Sequence, residues 1–312
     1  MVRIWEKYQV SYKDYFKGLE NGMLAKLSAV KDNPLLDEVE GRIHSFSKNV
    51  KYVKVPIQQL VQKYQIKNKK ILSIGPAVGS EEYWFWDNGN SLTFIDIDQG
   101  NVIEPFLKVL PQKTSDCLTY YIGNAYDYSD NKFQGRFDVC YCSSFAPDEL
   151  RRKEILKEYS RFNLNVFIAR VIRKLIKVLK IKKYIRIENW PKNENPIMDL
   201  IINYVDEYLE MGGIFIQQEY GYPIDFRSNP HAIVLIKRQL DKIGVQLLRI
   251  YSFKEKYLSN LIVGYRGTRE DALAFLETIK PVPDINIFHG RSEYGRDGGE
   301  IVVTFDLMTT HL

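Results

Sequence analysis

A short apolar run, Lys70-Ile71-Leu72-Ser73-Ile74, ends in the loop Gly75-Pro76-Ala77-Val78-Gly79. A run of that length closed by glycines suits a strand buried on both faces of a sheet. Four further runs predict strands at 92–97, 118–122, 137–141 and 213–217. Polar or amphipathic stretches long enough for crossover helices separate them. That alternation argues for an α/β fold with a doubly wound, mostly parallel sheet. Residues 230–243 then read as a helix. Residues 245–253 and 258–266 read as two strands joined by a short turn, an antiparallel final pair.

The flanks read differently. Residues 1–68 are expected to form an N-terminal helical cap, with Tyr8, Tyr12, Tyr15, Phe16 and Leu19 recurring at helical steps. A helix is expected from Val55 to Tyr64, with Pro56 in its first turn. The central domain spans 69–267 and carries a basic helical insert at 150–190. A C-terminal extension, 268–312, holds a helix to Ile279, a Pro/Gly-rich stretch and a last strand-like run at 301–307.

With 312 residues, 45% of them hydrophobic and 27% charged, the chain buries a substantial core and is neither disordered nor fibrous. Three cysteines cannot build a disulfide framework, and no Cys/His spacing reads as a metal site. The start lacks an apolar signal core and no run of 18 apolar residues occurs, so a cytoplasmic setting is expected. The net charge of +5 is unevenly placed. Residues 151–187 hold 13 Lys and Arg against two acids, leaving the rest of the chain acidic.

A strand, a glycine loop and a helix together make a cradle in which a ligand approaches backbone. Dinucleotide binders need G-x-G-x-x-G there. The frame from Gly75 has Ala77 and Ser80 at the other two glycine positions and Pro76 in the turn, a poor match. An acid that holds a ribose is expected about 20 residues past the loop, and Asp96 lies 21 positions past Gly75.

In its other frame the loop, Ser73-x-Gly75-x-Ala77-x-Gly79, resembles motif I of the class I (Rossmann-like) S-adenosylmethionine-dependent methyltransferases, acid-x-Gly-x-Gly-x-Gly. Ser73 stands for the acid and Ala77 for the middle glycine. Four elements resemble the family in the same order: Thr93-Phe94-Ile95-Asp96-Ile97-Asp98, Gly123-Asn124-Ala125, Phe137-Asp138-Val139-Cys140-Tyr141-Cys142-Ser143, and Leu209-Glu210-Met211-Gly212-Gly213. The resemblance implies S-adenosyl-L-methionine as methyl donor. It implies donor contacts at Ser73, Gly75, Pro76, Ala77 and Gly79, at Asp96 and Ile97, at Asn124 and Ala125, and at Ser143 and Ser144. Asp96 would hold the ribose, and Asn124, in place of an Asp, would accept from the adenine amine.

Methyl transfer from a sulfonium is an in-line displacement that mainly needs alignment and exclusion of water. A base is needed only when the acceptor must lose a proton. Candidates for acceptor handling lie at the carboxyl ends of the fourth and fifth strands: Ser143, Glu219, Tyr222 and His231. Asp148 and Glu149 read as helix N-terminal acids. Cys140 and Cys142 read as small core residues. Cys142-Ser143-Ser144-Phe145-Ala146-Pro147 stands where amino-methylating DNA enzymes carry Asp-Pro-Pro-Tyr, so nucleic acid is not the expected partner. Tyr8, Tyr12 and Tyr15 serve either as a lid over the donor or as plain packing.

Within the insert, residues 163–185 place Leu164, Phe167, Val171 and Leu175 on one helical face and Arg170, Lys174, Lys177 and Lys180 on another. This suits a lid over the acceptor, peripheral contact with an anionic membrane, or a grip on an anionic acceptor or RNA backbone. The activity expected is methyl transfer to a small-molecule acceptor. The alternatives are aminocarboxypropyl transfer from the same donor, or a non-catalytic binding or membrane-associated protein.

Overall fold

The computed structural model describes residues 6–21, 46–96, 103–123, 135–143, 196–220, 230–254, 258–286 and 300–308. The chain divides into two compact units, 1–144 with 200–312, and 145–199. The first carries the sheet. Of the second, only 196–199 are described, so the insert expected at 150–190 lies outside the described residues.

Nine strands among the described residues form one sheet. They are β1 (Glu6–Val10), β2 (Lys70–Ile74), β3 (Ser91–Asp96), β4 (Leu118–Ile122), β5 (Phe137–Ser143), β6 (Leu209–Tyr220), β7 (Val245–Lys254), β8 (Leu258–Arg266) and β9 (Glu300–Asp306). The helices are α1 (Tyr12–Glu20), α2 (Phe46–Lys63), α3 (Glu82–Asp87), α4 (Ile103–Val109), α5 (Pro196–Tyr208), α6 (Pro230–Asp241) and α7 (Arg269–Ile279). The strand order is β1-β4-β3-β2-β5-β6-β8-β7-β9. Strands β2 to β6 run parallel; β8 inserts antiparallel between β6 and β7. The fold is therefore α/β with a Rossmann-like, mostly parallel sheet. Chain order steps outward from β2 through β3 to β4, then returns to β5 on the other side of β2. That reversal is the switch point at which open α/β sheets bind ligands.

The core follows from the apolar runs. Leu72, Phe94, Tyr120, Tyr141 and Phe215 are fully buried on the central strands. Phe85 of α3 packs edge-on against Tyr141 with ring centroids 5.0 Å apart. The Trp84 indole N–H donates to the Val50 carbonyl at 2.6 Å and ties α3 to α2. Cys140 and Cys142 are buried on β5, and burial pushes the Cys140 thiol up from its ordinary range.

Three local expectations need correction. The first 68 residues are not helical throughout: Glu6–Val10 is a strand, antiparallel to β4. The sequence EKYQV is too short to show a period of its own, and its partner lies more than a hundred residues away. Pro56 is inside α2 rather than at its start. The buried face formed by Val50, Val53, Ile57 and Leu60 continues across the proline and outweighs its missing N–H. Third, β6 begins at Leu209 rather than Gly213, because its pairing with β5 jumps from Phe137↔Leu209 to Val139↔Ile214. A Cβ on Gly213 would lie 2.9 Å from the Asp138 carbonyl oxygen and 2.8 Å from that of Glu210, so this bulge needs glycine.

Strand β9 pairs antiparallel with β7, so the segment after Thr268 returns to the sheet. It does so after α7, whose Thr268 and Asp271 form a capping box. No helix among the described residues is long and apolar enough to cross a membrane.

Candidate functional site

The loop after β2 sits at the switch point. Gly75, Ala77 and Gly79 have φ of 69°, 53° and 73°. Left-handed backbone is ordinary for glycine and costs a residue with a Cβ about 1–2 kcal/mol, so Ala77 is held in place by its surroundings. They are visible. The Ala77 N–H donates to Asp96 Oδ2 at 2.8 Å, and the Ala77 carbonyl accepts from the Tyr120 hydroxyl at 3.1 Å. Asp96 is the last residue of β3, and its own carbonyl accepts from the Gly123 N–H at 2.9 Å. The strand after the loop thus delivers its terminal carboxylate directly onto the loop. Gly79 lies against Phe94: a Cβ there would meet the ring at 3.0 Å.

Two of the loop's other N–H groups also have internal partners. The Gly75 N–H donates to the Ile95 carbonyl at 2.8 Å and the Gly79 N–H to the Pro76 carbonyl at 2.9 Å. A pyrophosphate cradle needs such donors turned toward the ligand. Here three of them are engaged, and acids surround the turn.

Two of those acids were not singled out in the sequence reading. Glu81 and Glu82 follow the loop and are 1% and 0% exposed. The Ser73 hydroxyl donates to Glu82 Oε1 at 2.6 Å, and the Ser143 hydroxyl to Glu81 Oε1 at 3.4 Å. Ser73 is the penultimate residue of β2 and Ser143 ends β5, neighbouring parallel strands. On β6, Gln218 is the Cα partner of Ser143, and its Oε1 accepts from the Tyr141 hydroxyl at 3.0 Å. Hydroxyls and carboxylates therefore line the carboxyl ends of β2, β5 and β6 on one face. The signal that would have found the glutamates is the acid missing at Ser73 and reappearing twice just beyond Gly79.

The structure thus brings together Ser73, Gly75, Pro76, Ala77, Gly79, Asp96 and Ser143 at one end of the sheet. Ile97, Asn124, Ala125, Ser144 and Tyr222 lie outside the described residues. Glu219 lies near the carboxyl end of β6, opposite Asn260, and His231 is the second residue of α6; their side chains lie outside the described residues.

Of the two roles expected for the N-terminal tyrosines, Tyr12 and Tyr15 take the packing one. Tyr15 is fully buried against Phe94, Phe106 and Tyr120. The Tyr12 hydroxyl accepts from the Leu92 N–H at 2.6 Å. Tyr8 belongs to β1, where its hydroxyl meets Glu6 and Glu104.

No family model matches the sequence, and no curated protein is similar to it in sequence. Solved structures similar in fold include the N-methyltransferase NodS of Bradyrhizobium japonicum WM9 in complex with S-adenosyl-L-homocysteine. That match has 12% identity, covers 82% of this chain and 100% of that one, and has a TM-score of 0.39. The magnesium protoporphyrin IX methyltransferase of Synechocystis PCC 6803 with bound S-adenosylmethionine matches at 13% identity over 72% of this chain and 81% of that one, TM-score 0.39. The fibrillarin pre-rRNA processing protein of Methanococcus jannaschii matches at 14% identity over 65% and 69%, TM-score 0.37. These are likenesses of fold alone.

Proposed function

We propose that the chain is an S-adenosyl-L-methionine-dependent methyltransferase with a small-molecule acceptor. One observation carries the reading: the Asp96 carboxylate touches the Ala77 N–H at the switch point. A carboxylate has about four lone-pair positions, so Asp96 can accept from the loop and still accept from both hydroxyls of a ribose. The loop favours this donor over a dinucleotide. Three of its N–H groups are engaged within the protein, whereas a pyrophosphate cradle needs them turned toward the ligand.

When bound, the donor supplies a methyl group on a sulfonium whose leaving thioether is neutral. What remains for the chain is to align an acceptor and keep water out. Ser143 ends β5 beside the loop, and its hydroxyl donates to Glu81 at 3.4 Å. The basic insert supports an anionic acceptor or contact with an anionic membrane.

Calorimetry tests the reading. S-adenosylmethionine and S-adenosylhomocysteine are expected to bind in the micromolar range and NAD not at all. Binding of NAD with no binding of the sulfonium donor would overturn it. Release of methylthioadenosine instead of S-adenosylhomocysteine during turnover would replace methyl transfer by aminocarboxypropyl transfer.

A further inference from the structure

Ser73 stands where the resembling motif carries an acid, yet a carboxylate reaches the end of β2 all the same. Glu82, nine positions on, places Oε1 2.6 Å from the Ser73 hydroxyl, and both residues are fully buried. The contact joins the strand that enters the glycine loop to the helix that leaves it. Ser80 lies between them, 1% exposed, and its hydroxyl has no hydrogen-bond partner among the described residues. A buried hydroxyl in that state costs free energy unless a ligand or water meets it.

We infer that Glu82 has taken over the role of the missing strand acid. It is a positioning residue that closes the loop into its donor-binding form and keeps a carboxyl group buried beneath it. This rests on the donor reading above. The geometry also accounts for serine at position 73. Two carboxylates at hydrogen-bonding distance cannot both stay ionised, so an acid at 73 beside Glu82 would have to share a proton with it. One carboxylate serves the loop, carried from the helix side.

The test moves the carboxyl group from helix to strand. Binding of S-adenosylhomocysteine to the full chain is measured by calorimetry for the wild type, Glu82→Gln, Ser73→Asp and the double variant, with melting curves to confirm folding. Exchange of the carboxyl for an amide is expected to weaken the Kd about ten- to hundredfold in Glu82→Gln. Ser73→Asp alone is expected to weaken binding at pH 8 and to recover as the pH falls and the pair takes up a shared proton. In the double variant the introduced amide donates to the introduced carboxylate, and affinity returns to within about threefold of wild type. A merely structural role for Glu82 predicts no such rescue. Wild-type affinity in Glu82→Gln, or a double variant no better than Glu82→Gln, overturns the inference while leaving the donor reading intact. A folded wild type that binds neither sulfonium nor thioether form sinks both. If Glu82→Gln does not fold, Ser73→Ala removes the tether and keeps the carboxyl group; unchanged affinity there also overturns the inference.

Discussion

Two regions of the sheet gather carboxylates among hydroxyls, and they complete them in different ways. At the carboxyl ends of β2 and β5, Glu82, Glu81 and Asp96 meet two serine hydroxyls and a backbone N–H. Across the molecule, on β7 and β9, Arg249 pairs with both Asp284 and Asp306. There the Tyr251 hydroxyl donates to Asp284 at 2.7 Å and meets the Tyr64 hydroxyl at 2.9 Å. Lys63 donates to the carbonyls of Ile279 and Val282 at 3.1 and 2.8 Å. The second cluster balances its own charge and binds α2, β7, β9 and the segment after α7 into one body. The first holds its acids on a turn that contains a left-handed alanine. Strain and acids at a ligand-binding switch point mark function, whereas neutralised charge between packed elements marks stability.

Arg249→Ala should have the largest effect. It leaves Asp306 and Asp284 without the guanidinium that pairs with both. Because Asp284 is partly exposed, the loss should be about 2–3 kcal/mol rather than the larger cost of a fully buried pair. Chemical denaturation would read it, with donor affinity of the folded fraction unchanged. A matching loss of affinity would break the distinction between the two regions.

Asp96→Ala is expected to show the reverse pattern. Donor affinity falls by about 2 kcal/mol, near thirtyfold, with a smaller change in melting temperature. Affinity equal to wild type would remove the ribose contact from the site.

Tyr64→Phe comes next, at about 1 kcal/mol for the lost hydroxyl contact. It also changes the alkaline limb of stability. Burial raises the pKa of Tyr64 and Tyr251 above the ordinary 10.0. The folded state therefore holds these protons longer than the unfolded one. Their contribution is complete below pH about 10 and is lost as pH rises through the folded values. The variant should lose stability less steeply above pH 10; an unchanged slope would show that other groups set it.

Ala77→Gly is the smallest effect and has the opposite sign. Relief of the left-handed backbone should stabilise the protein by about 0.5–1 kcal/mol without weakening donor binding. A lower melting temperature would show that the alanine methyl is packed rather than strained.

Much of the sheet was legible because buried strands announce themselves as apolar runs. Leu118–Ile122 falls where expected to the residue, and β7, β8 and the last strand within one or two. The switch-point loop and the spacing to Asp96 were legible for the same reason. Strand β1 was not, since its pairing with β4 is a long-range fact that five mixed residues do not encode locally. Nor were Glu81 and Glu82, which on the page are two acids at a helix start. Only the approach of Ser73 and Ser143 turns them into part of a site.

The placement of β1 and β9 has a practical consequence. A fragment trimmed to 69–267 would keep the glycine loop and every parallel strand, yet would strip the outer neighbours from β4 and β7. Bare strand rims recruit other chains, so such a fragment would precipitate on expression although its ligand cradle is whole.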